Sequence, residues 1–304
     1  MDLTEKLIVK SALAVCLFLV CFSARTQEKT PVQQRCTYHT IKYQGAERGF
    51  YLYRPEGLPA GAPVVIGLHG YSGKAENMIV DLLDVADRHA FAVCYPQGLP
   101  DPAGQTGWNV GYPSQKGMKV DDIGFMGKLV RHLSREFSLS RVNVFLTGMS
   151  NGGEMCYLTA LRKPRLFRAI ASVAGLTLAD WMPLRYRKSV PFMEIHGTED
   201  RISEWEGDPF NEGGWGAYLA VPVSISYIVA ANGCTFVNTT ALPLREGRNQ
   251  VILHNFQGGK SAVKGGPAAD VLLYEVIGGN HSWSENDMDT CEAVWEFFSR
   301  YISH

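Results

Sequence analysis

The chain has 304 residues, 46% apolar and 19% charged, with a formal net charge of −1. That length suits one large α/β domain or two small ones, and the composition is ordinary for a soluble globular protein. No lysine/arginine block stands out, so the basic footprint of a nucleic-acid-binding protein is missing and no such partner is expected.

The N-terminus reads as a separate object. Lys6 and Lys10 precede an uncharged apolar run from Ala12 to Phe22, followed by the small residues Ser23 and Ala24. The run is short for a membrane span of about 20 residues and suits the core of an export signal. Residues 1–24 are therefore expected to be a removable leader, and residues 25–304 a single domain found outside the cell or in the periplasm. Cys16 and Cys21 each follow a valine. A lipidation signal calls for a small residue there, so export ranks ahead of anchoring and no stable membrane anchor is expected. Five cysteines follow: Cys36, Cys94, Cys156, Cys234 and Cys291. Five is odd, so at least one has no partner within the chain. Cys94 and Cys156 lie in apolar surroundings and read as packing thiols, which leaves Cys234 and Cys291 as the candidate pair.

No repeat or long linker divides the remainder. Tyr38–Tyr43 and Gly49–Tyr53 read as two antiparallel strands about Gly45, and Pro63–Leu68 as a short buried strand. A helix follows, with Met78, Leu82, Leu83, Val85 and Ala86 on one side. Phe91–Tyr95 is the next strand, and Gly98–Gly117 a polar Gly/Pro-rich excursion. A helix is expected from about Asp122 to Phe137. Val142–Leu146, Ala169–Val173, Val190–Ile195 and Val271–Val276 read as strands. Gly152–Arg162, Val223–Ala231 and Glu285–Tyr301 read as helices. Short apolar strands alternating with helices imply a mostly parallel sheet covered on both faces, with ligands at the carboxyl ends of its strands.

Gly148-Met149-Ser150-Asn151-Gly152 has the form G-x-S-x-G, with a buried strand before it and a helix after it. That context suits a sharp turn projecting a nucleophilic serine, with glycines where a side chain would strike the strand or helix. A serine needs a base. His281 is the leading candidate, in Gly278-Gly279-Asn280-His281-Ser282-Trp283 after the last strand. His69, in Leu68-His69-Gly70-Tyr71, suits a loop that lends a backbone N–H to an oxyanion. His196 reads as a brace of its own turn. Asp200 follows a strand and falls between Ser150 and His281, with Glu199 its rival. Asp121 and Asp122 precede the serine at a helix start, where capping explains them. The oxyanion donors are expected to be the backbone N–H groups of Tyr71 and Asn151. No cysteine/histidine cluster has zinc-site spacing, so neither metal nor cofactor is expected. Trp108, Tyr112, Trp205, Trp215 and Trp283 fall in loops near the same edge and are candidate substrate contacts, with Phe210 nearby.

Seven segments then occur in a familiar order. They are Leu68-His69-Gly70, Gly107-Trp108-Asn109, Val120-Asp121-Asp122-Ile123-Gly124-Phe125, Gly148-Met149-Ser150-Asn151-Gly152-Gly153, His196-Gly197-Thr198-Glu199-Asp200, Asn232-Gly233-Cys234 and Gly279-Asn280-His281-Ser282-Trp283. Together they resemble the polyhydroxybutyrate depolymerase/feruloyl esterase family of α/β-hydrolases over roughly residues 36–303. The resemblance implies the α/β-hydrolase fold and a secreted, metal-independent esterase with Ser150, Asp200 and His281 as triad. It implies cleavage of carboxylic esters; the aromatic loop residues point to a hydroxycinnamoyl or acetyl ester of a plant-wall sugar, with hydroxybutyrate oligomers as the alternative. A catalytically inactive carbohydrate-binding protein on the same fold would be expected to lose a triad member. A peptidase of this fold usually brings a gating domain, for which the chain has no room. Relatives often carry a second cysteine after Asn-Gly-Cys, whereas residues 235–290 contain none.

Overall fold

The computed structural model describes residues 29–184, 186 and 188–303. The leader reading of residues 1–24, with Cys16 and Cys21, lies outside them.

Twelve strands and six α-helices alternate along the described chain. In order they are α1 (Pro31–Arg35), β1 (Thr37–Tyr43), β2 (Ala46–Tyr53), β3 (Val64–Leu68), α2 (Asp81–His89) and β4 (Ala92–Pro96). The short β5 (Leu99–Pro100) and β6 (Thr106–Gly107) precede α3 (Asp122–Phe137), β7 (Val144–Met149), α4 (Asn151–Arg162) and β8 (Ile170–Val173). Then come β9 (Phe192–Gly197), α5 (Val221–Asn232), β10 (Phe236–Ala241), β11 (Gln250–Gln257), β12 (Val271–Ile277) and α6 (Thr290–Ser299).

Ten strands form one sheet in the order β1-β2-β4-β3-β7-β8-β9-β12-β11-β10. The strands from β4 to β12 in this order pair in parallel. Their sequences explain this: β3, β4, β8 and β9 are buried at every position, as strands covered on both faces must be. The flanking strands are antiparallel. Gln44 and Gly45, both at positive φ (49° and 81°), make the tight turn between β1 and β2. One apolar layer joins residues of α3, α4 and α5 to the sheet, and the other joins α1, α2 and α6. This is the α/β-hydrolase arrangement, with β7, β8, β9 and β12 all ending at one edge. Among the described residues no helix is long and apolar enough to cross a membrane.

Local chemistry sets the helix ends. Asp121 caps α3 by accepting the Gly124 N–H at 2.8 Å. In α2 the acidic Asp81 and Asp84 lie in the first turn and Arg88 and His89 in the last, as the helix dipole favours. Three expectations are corrected. Asp122 is no cap: its buried carboxylate accepts the Arg48 guanidinium at 2.8 Å and the Asn109 N–H at 2.8 Å. The last helix begins at Thr290, not Glu285, because Ser284 sits at φ 59° and a turn over 284–289 intervenes. Two strands, β10 and β11, occupy a region without a strand in the sequence reading. β10 is exposed at all six positions, so it carries no burial alternation to reveal it.

The cysteine pairing also fails. Cys36, Cys94, Cys156, Cys234 and Cys291 are all free thiols. Cys234 packs against the layer of α3 to α5 and Cys291 against that of α6, so the sheet separates them.

Candidate active site

Ser150 joins β7 to α4 at φ 56°, ψ −124°, a strained conformation for a residue bearing a Cβ. The surrounding glycines make it possible. A Cβ on Gly152 would lie 2.4 Å from the Leu68 carbonyl oxygen, and one on Gly148 would lie 2.6 Å from the Gly152 backbone. A Cβ on Gly70 would lie 3.3 Å from the Cβ of Ser150, so the loop after β3 passes directly over the serine.

That loop is rigidly held. His69 Nε2 accepts the Gly98 N–H at 2.9 Å, so the ring proton sits on Nδ1 and is donated to the Gly70 carbonyl at 2.7 Å. Burial drives the His69 pKa down to about 4, keeping this neutral tautomer. The Trp108 indole N–H donates to the His69 carbonyl at 2.9 Å. Asn151 completes the latch: its side-chain oxygen accepts the Trp108 N–H at 2.7 Å, and its amide donates to the Trp108 carbonyl at 3.1 Å. The backbone N–H of Asn151 opens α4, where helix geometry leaves it without an intrahelical partner. Tyr71 follows Gly70 on the facing loop. Tyr71 thus lies one residue beyond the point where this loop approaches Ser150, and Asn151 one residue after the serine.

On the other side, His281 stands in the loop after β12, and Asp200 in the turn after the neighbouring β9. His281 Nδ1 donates to Asp200 Oδ2 at 2.7 Å. The second carboxylate oxygen accepts the Ile202 and Ser203 N–H groups, each at 2.8 Å. Burial alone would raise the Asp200 pKa. The His281 hydrogen bond and the nearby imidazoles outweigh it and hold the carboxyl below its usual range. Glu199 is exposed and makes no such contact. Among the described residues Ser150 and His281 do not hydrogen-bond to one another; such bonds often tighten only when substrate binds. Trp283, two residues past His281, shares a cavity of about 230 Å3 with Met149, which precedes the serine, and with His69 and Gly70.

The five aromatic candidates separate. Trp108 is fully buried and Tyr112 only 3% exposed, so neither surface is open to a ligand. Both build the wall instead, because Trp108 is spent on the His69–Asn151 latch. Tyr112 packs edge-on to Tyr71 and tilted on Trp215, with ring centres 5.8 and 5.3 Å away. Trp205, Trp215 and Trp283 are half-buried and reach solvent, and Phe210 is 82% exposed.

Two fully buried glutamates escape the sequence reading. Glu154, four residues past Ser150 on α4, is 1% exposed, and burial lifts its pKa to about 8 against hydrogen bonds from Tyr112 and Asn151. Glu194 lies within the buried strand β9, beneath Asp200. A charge inside the apolar run Phe192-Met193-Glu194-Ile195 was the available signal.

Comparison with known proteins agrees with this architecture. Residues 102–213 match the prolyl oligopeptidase family. Feruloyl esterase D of Neurospora crassa is 27% identical over 201 residues, covering 64% of this chain and 60% of that protein. The bifunctional acetylxylan esterase/xylanase XynS20E of Neocallimastix patriciarum is 24% identical over 165 residues, 54% of this chain and 23% of that protein. The chain thus spans less than two thirds of the length of either relative. The acetyl xylan esterase of Aspergillus awamori superposes over 87% of this chain and 99% of its own, with a TM-score of 0.61 and 15% identity. The chain is an α/β-hydrolase by fold. Feruloyl and acetylxylan esterases are among its relatives.

Proposed function

We propose that this chain is a secreted serine carboxylic ester hydrolase that releases hydroxycinnamoyl or acetyl groups from plant-wall polysaccharide fragments. One observation carries the esterase reading: a serine strained at φ 56° on a strand–turn–helix elbow, at the same sheet edge as a histidine bound at 2.7 Å to a buried aspartate. In this reading His281 takes the Ser150 proton as Oγ attacks the ester carbonyl. The Asn151 and Tyr71 N–H groups receive the oxyanion, each worth about 3 kcal/mol of barrier. His281 passes its proton to the leaving alcohol. Water then attacks the acyl-enzyme, giving up a proton to His281, and the acid departs as Ser150 recovers its own. Asp200 fixes the imidazole tautomer throughout. The names of the relatives and the half-buried Trp205, Trp215 and Trp283 support the acyl-sugar substrate, since flat aromatic faces suit both sugar rings and aryl acids.

Specificity constants on methyl ferulate, an acetylated xylooligosaccharide and a hydroxybutyrate trimer test the substrate. Preference for either of the first two is expected. If the trimer wins by about tenfold or more, the sugar-ester reading gives way to an oligomer depolymerase. Ser150→Ala, well folded, should keep less than about a hundredth of the activity, because triad losses are normally far larger. A larger residue of activity removes Ser150 as the nucleophile.

A further inference from the structure

His196 has a part in this site beyond bracing its own turn. Its ring is fully buried, and both nitrogens face oxygens that accept. Nδ1 lies 2.9 Å from Glu194 Oε1, and Nε2 lies 2.7 Å from the Ser203 carbonyl oxygen. A carbonyl has no proton to give, so Nε2 carries one. The contact at Nδ1 needs another, on the ring or on Glu194. The same Oε1 also accepts the Gly175 N–H at 3.1 Å, and an oxygen receiving N–H bonds is favoured as carboxylate. The proton therefore belongs to the ring. His196 Nε2 is also 3.6 Å from Asp200 Oδ2, the oxygen that accepts His281 Nδ1 at 2.7 Å.

We propose that His196 is a permanent imidazolium, held by Glu194, that acts through Asp200 as a positioning residue and lowers the basicity of His281. The four groups form one line, Glu194–His196–Asp200–His281, of alternating charge when His281 is protonated. The proposal rests on the esterase reading of Ser150 and His281. Burial works against a charged His196, but the Glu194 contacts override it and raise the ring's pKa.

Other groups face the line without supplying a rival charge. Glu275 of β12 lies across from His196 in register, but it is bound to His254 of β11 at 2.9 Å. Cys156 and Tyr157 of α4 lie near Glu194, and burial pushes both far up, so they stay neutral. The Trp205 ring closes the remaining side, edge-on at 6.0 Å. Tyr218, near Asp200, is pushed up to about 12 by burial and is neutral as well.

The electrostatic consequence has a definite sign. A cation beside Asp200 offsets part of the negative field that favours protonated His281. Removing the cation should move the acid limb of the kcat/KM profile to higher pH. Because Glu194 lies directly behind the ring, most of the field cancels. The expected movement is about one half to one pH unit, well below that of an unpaired charge at this distance.

Two variants and one spectrum test this. In His196→Gln the charge is gone. In Glu194→Gln the ring loses its carboxylate and burial returns it to the neutral form. Glu194→Gln, which removes both charges of the pair, should shift the acid limb of aryl acetate hydrolysis upward by that amount, and His196→Gln, which leaves Glu194 in place, by at least as much. Nitrogen-15 NMR of the wild type should show two ring-bound protons on His196 from pH 6 to pH 8.5. A single protonated nitrogen at pH 7 overturns the proposal. So does a lower kcat with an unmoved limb, which is the mark of a merely structural brace. If His196→Gln does not fold, Glu194→Gln and the spectrum decide. The spectrum needs no activity, so failure of the esterase reading and failure of the imidazolium assignment remain distinguishable.

Discussion

Replacing Asp200 by asparagine changes one atom, and the structure dictates where that atom goes. Asp200 Oδ1 is pinned by two N–H donors, from Ile202 and Ser203, both at 2.8 Å. An asparagine oxygen must take that place, because the reverse orientation would set an NH2 group against two N–H groups and leave all of them unsatisfied. The new NH2 therefore faces His281 Nδ1, where Oδ2 now accepts at 2.7 Å. A donor there forces the imidazole to accept at Nδ1 and carry its proton on Nε2. The nitrogen that must take the Ser150 proton is then already occupied. The same tautomer reversal in a serine protease triad costs about 10⁴-fold in kcat, near 5 kcal/mol, and a loss of that order is expected here. Shape and volume hardly change, so the fold should persist. The assay is steady-state hydrolysis of a soluble aryl acetate at pH 7.5, alongside thermal melting. A well-folded Asp200→Asn retaining more than a tenth of wild-type kcat would show that Asp200 does not set the tautomer of the catalytic base. Glu199→Gln is the matched control: its exposed side chain should leave kcat within about twofold.

Gly152→Ala should be severely damaging, because the added Cβ meets the backbone of Leu68 and His69 at 2.4 to 2.9 Å, and neither strand end can yield. Overpacking of this kind costs about 1–3 kcal/mol or more, read as a lower urea midpoint together with lost turnover; an unchanged midpoint refutes the elbow packing. His69 supplies a pH dependence. Its folded pKa, lowered by burial to about 4, lies below the usual 6.5, so the unfolded chain binds the proton more readily. The stability it contributes is complete above about pH 6.5 and is lost as pH falls toward 4, with a slope near 1.4 kcal/mol per pH unit in between. Urea unfolding of His69→Gln at pH 7 and pH 5 should lack this part of the acid destabilisation. An identical pH slope in the variant and the wild type would rule it out.

Much of the fold was legible because burial periodicity is local. The runs at Pro63–Leu68, Phe91–Tyr95 and Val142–Leu146 announce strands covered on both faces, and each overlaps one. The elbow was equally local, since Gly148, Ser150 and Gly152 act within one turn. Edge strands were not legible. β10 is solvated on both faces, so pairing with β11 holds it and no periodic burial marks it.

Within the site, the sequence by itself narrowed the candidates. Chain order named Ser150, Asp200 and His281 and left Glu199 in contention. Only the tertiary structure shows Asp200, and not Glu199, bonded to His281, because β9 and β12 lie side by side although Asp200 and His281 are 81 residues apart. Residue type alone made Trp108 a ligand contact and Asp122 a cap. Their partners, the His69 carbonyl in the loop after β3 and Arg48 on β2, arrive from distant parts of the chain, and both residues are buried. Cys234 and Cys291 looked pairable until the sheet came between them. Local pattern records which side chains leave water. Which of them meet is set by strand order and register, and these form from contacts across the whole chain.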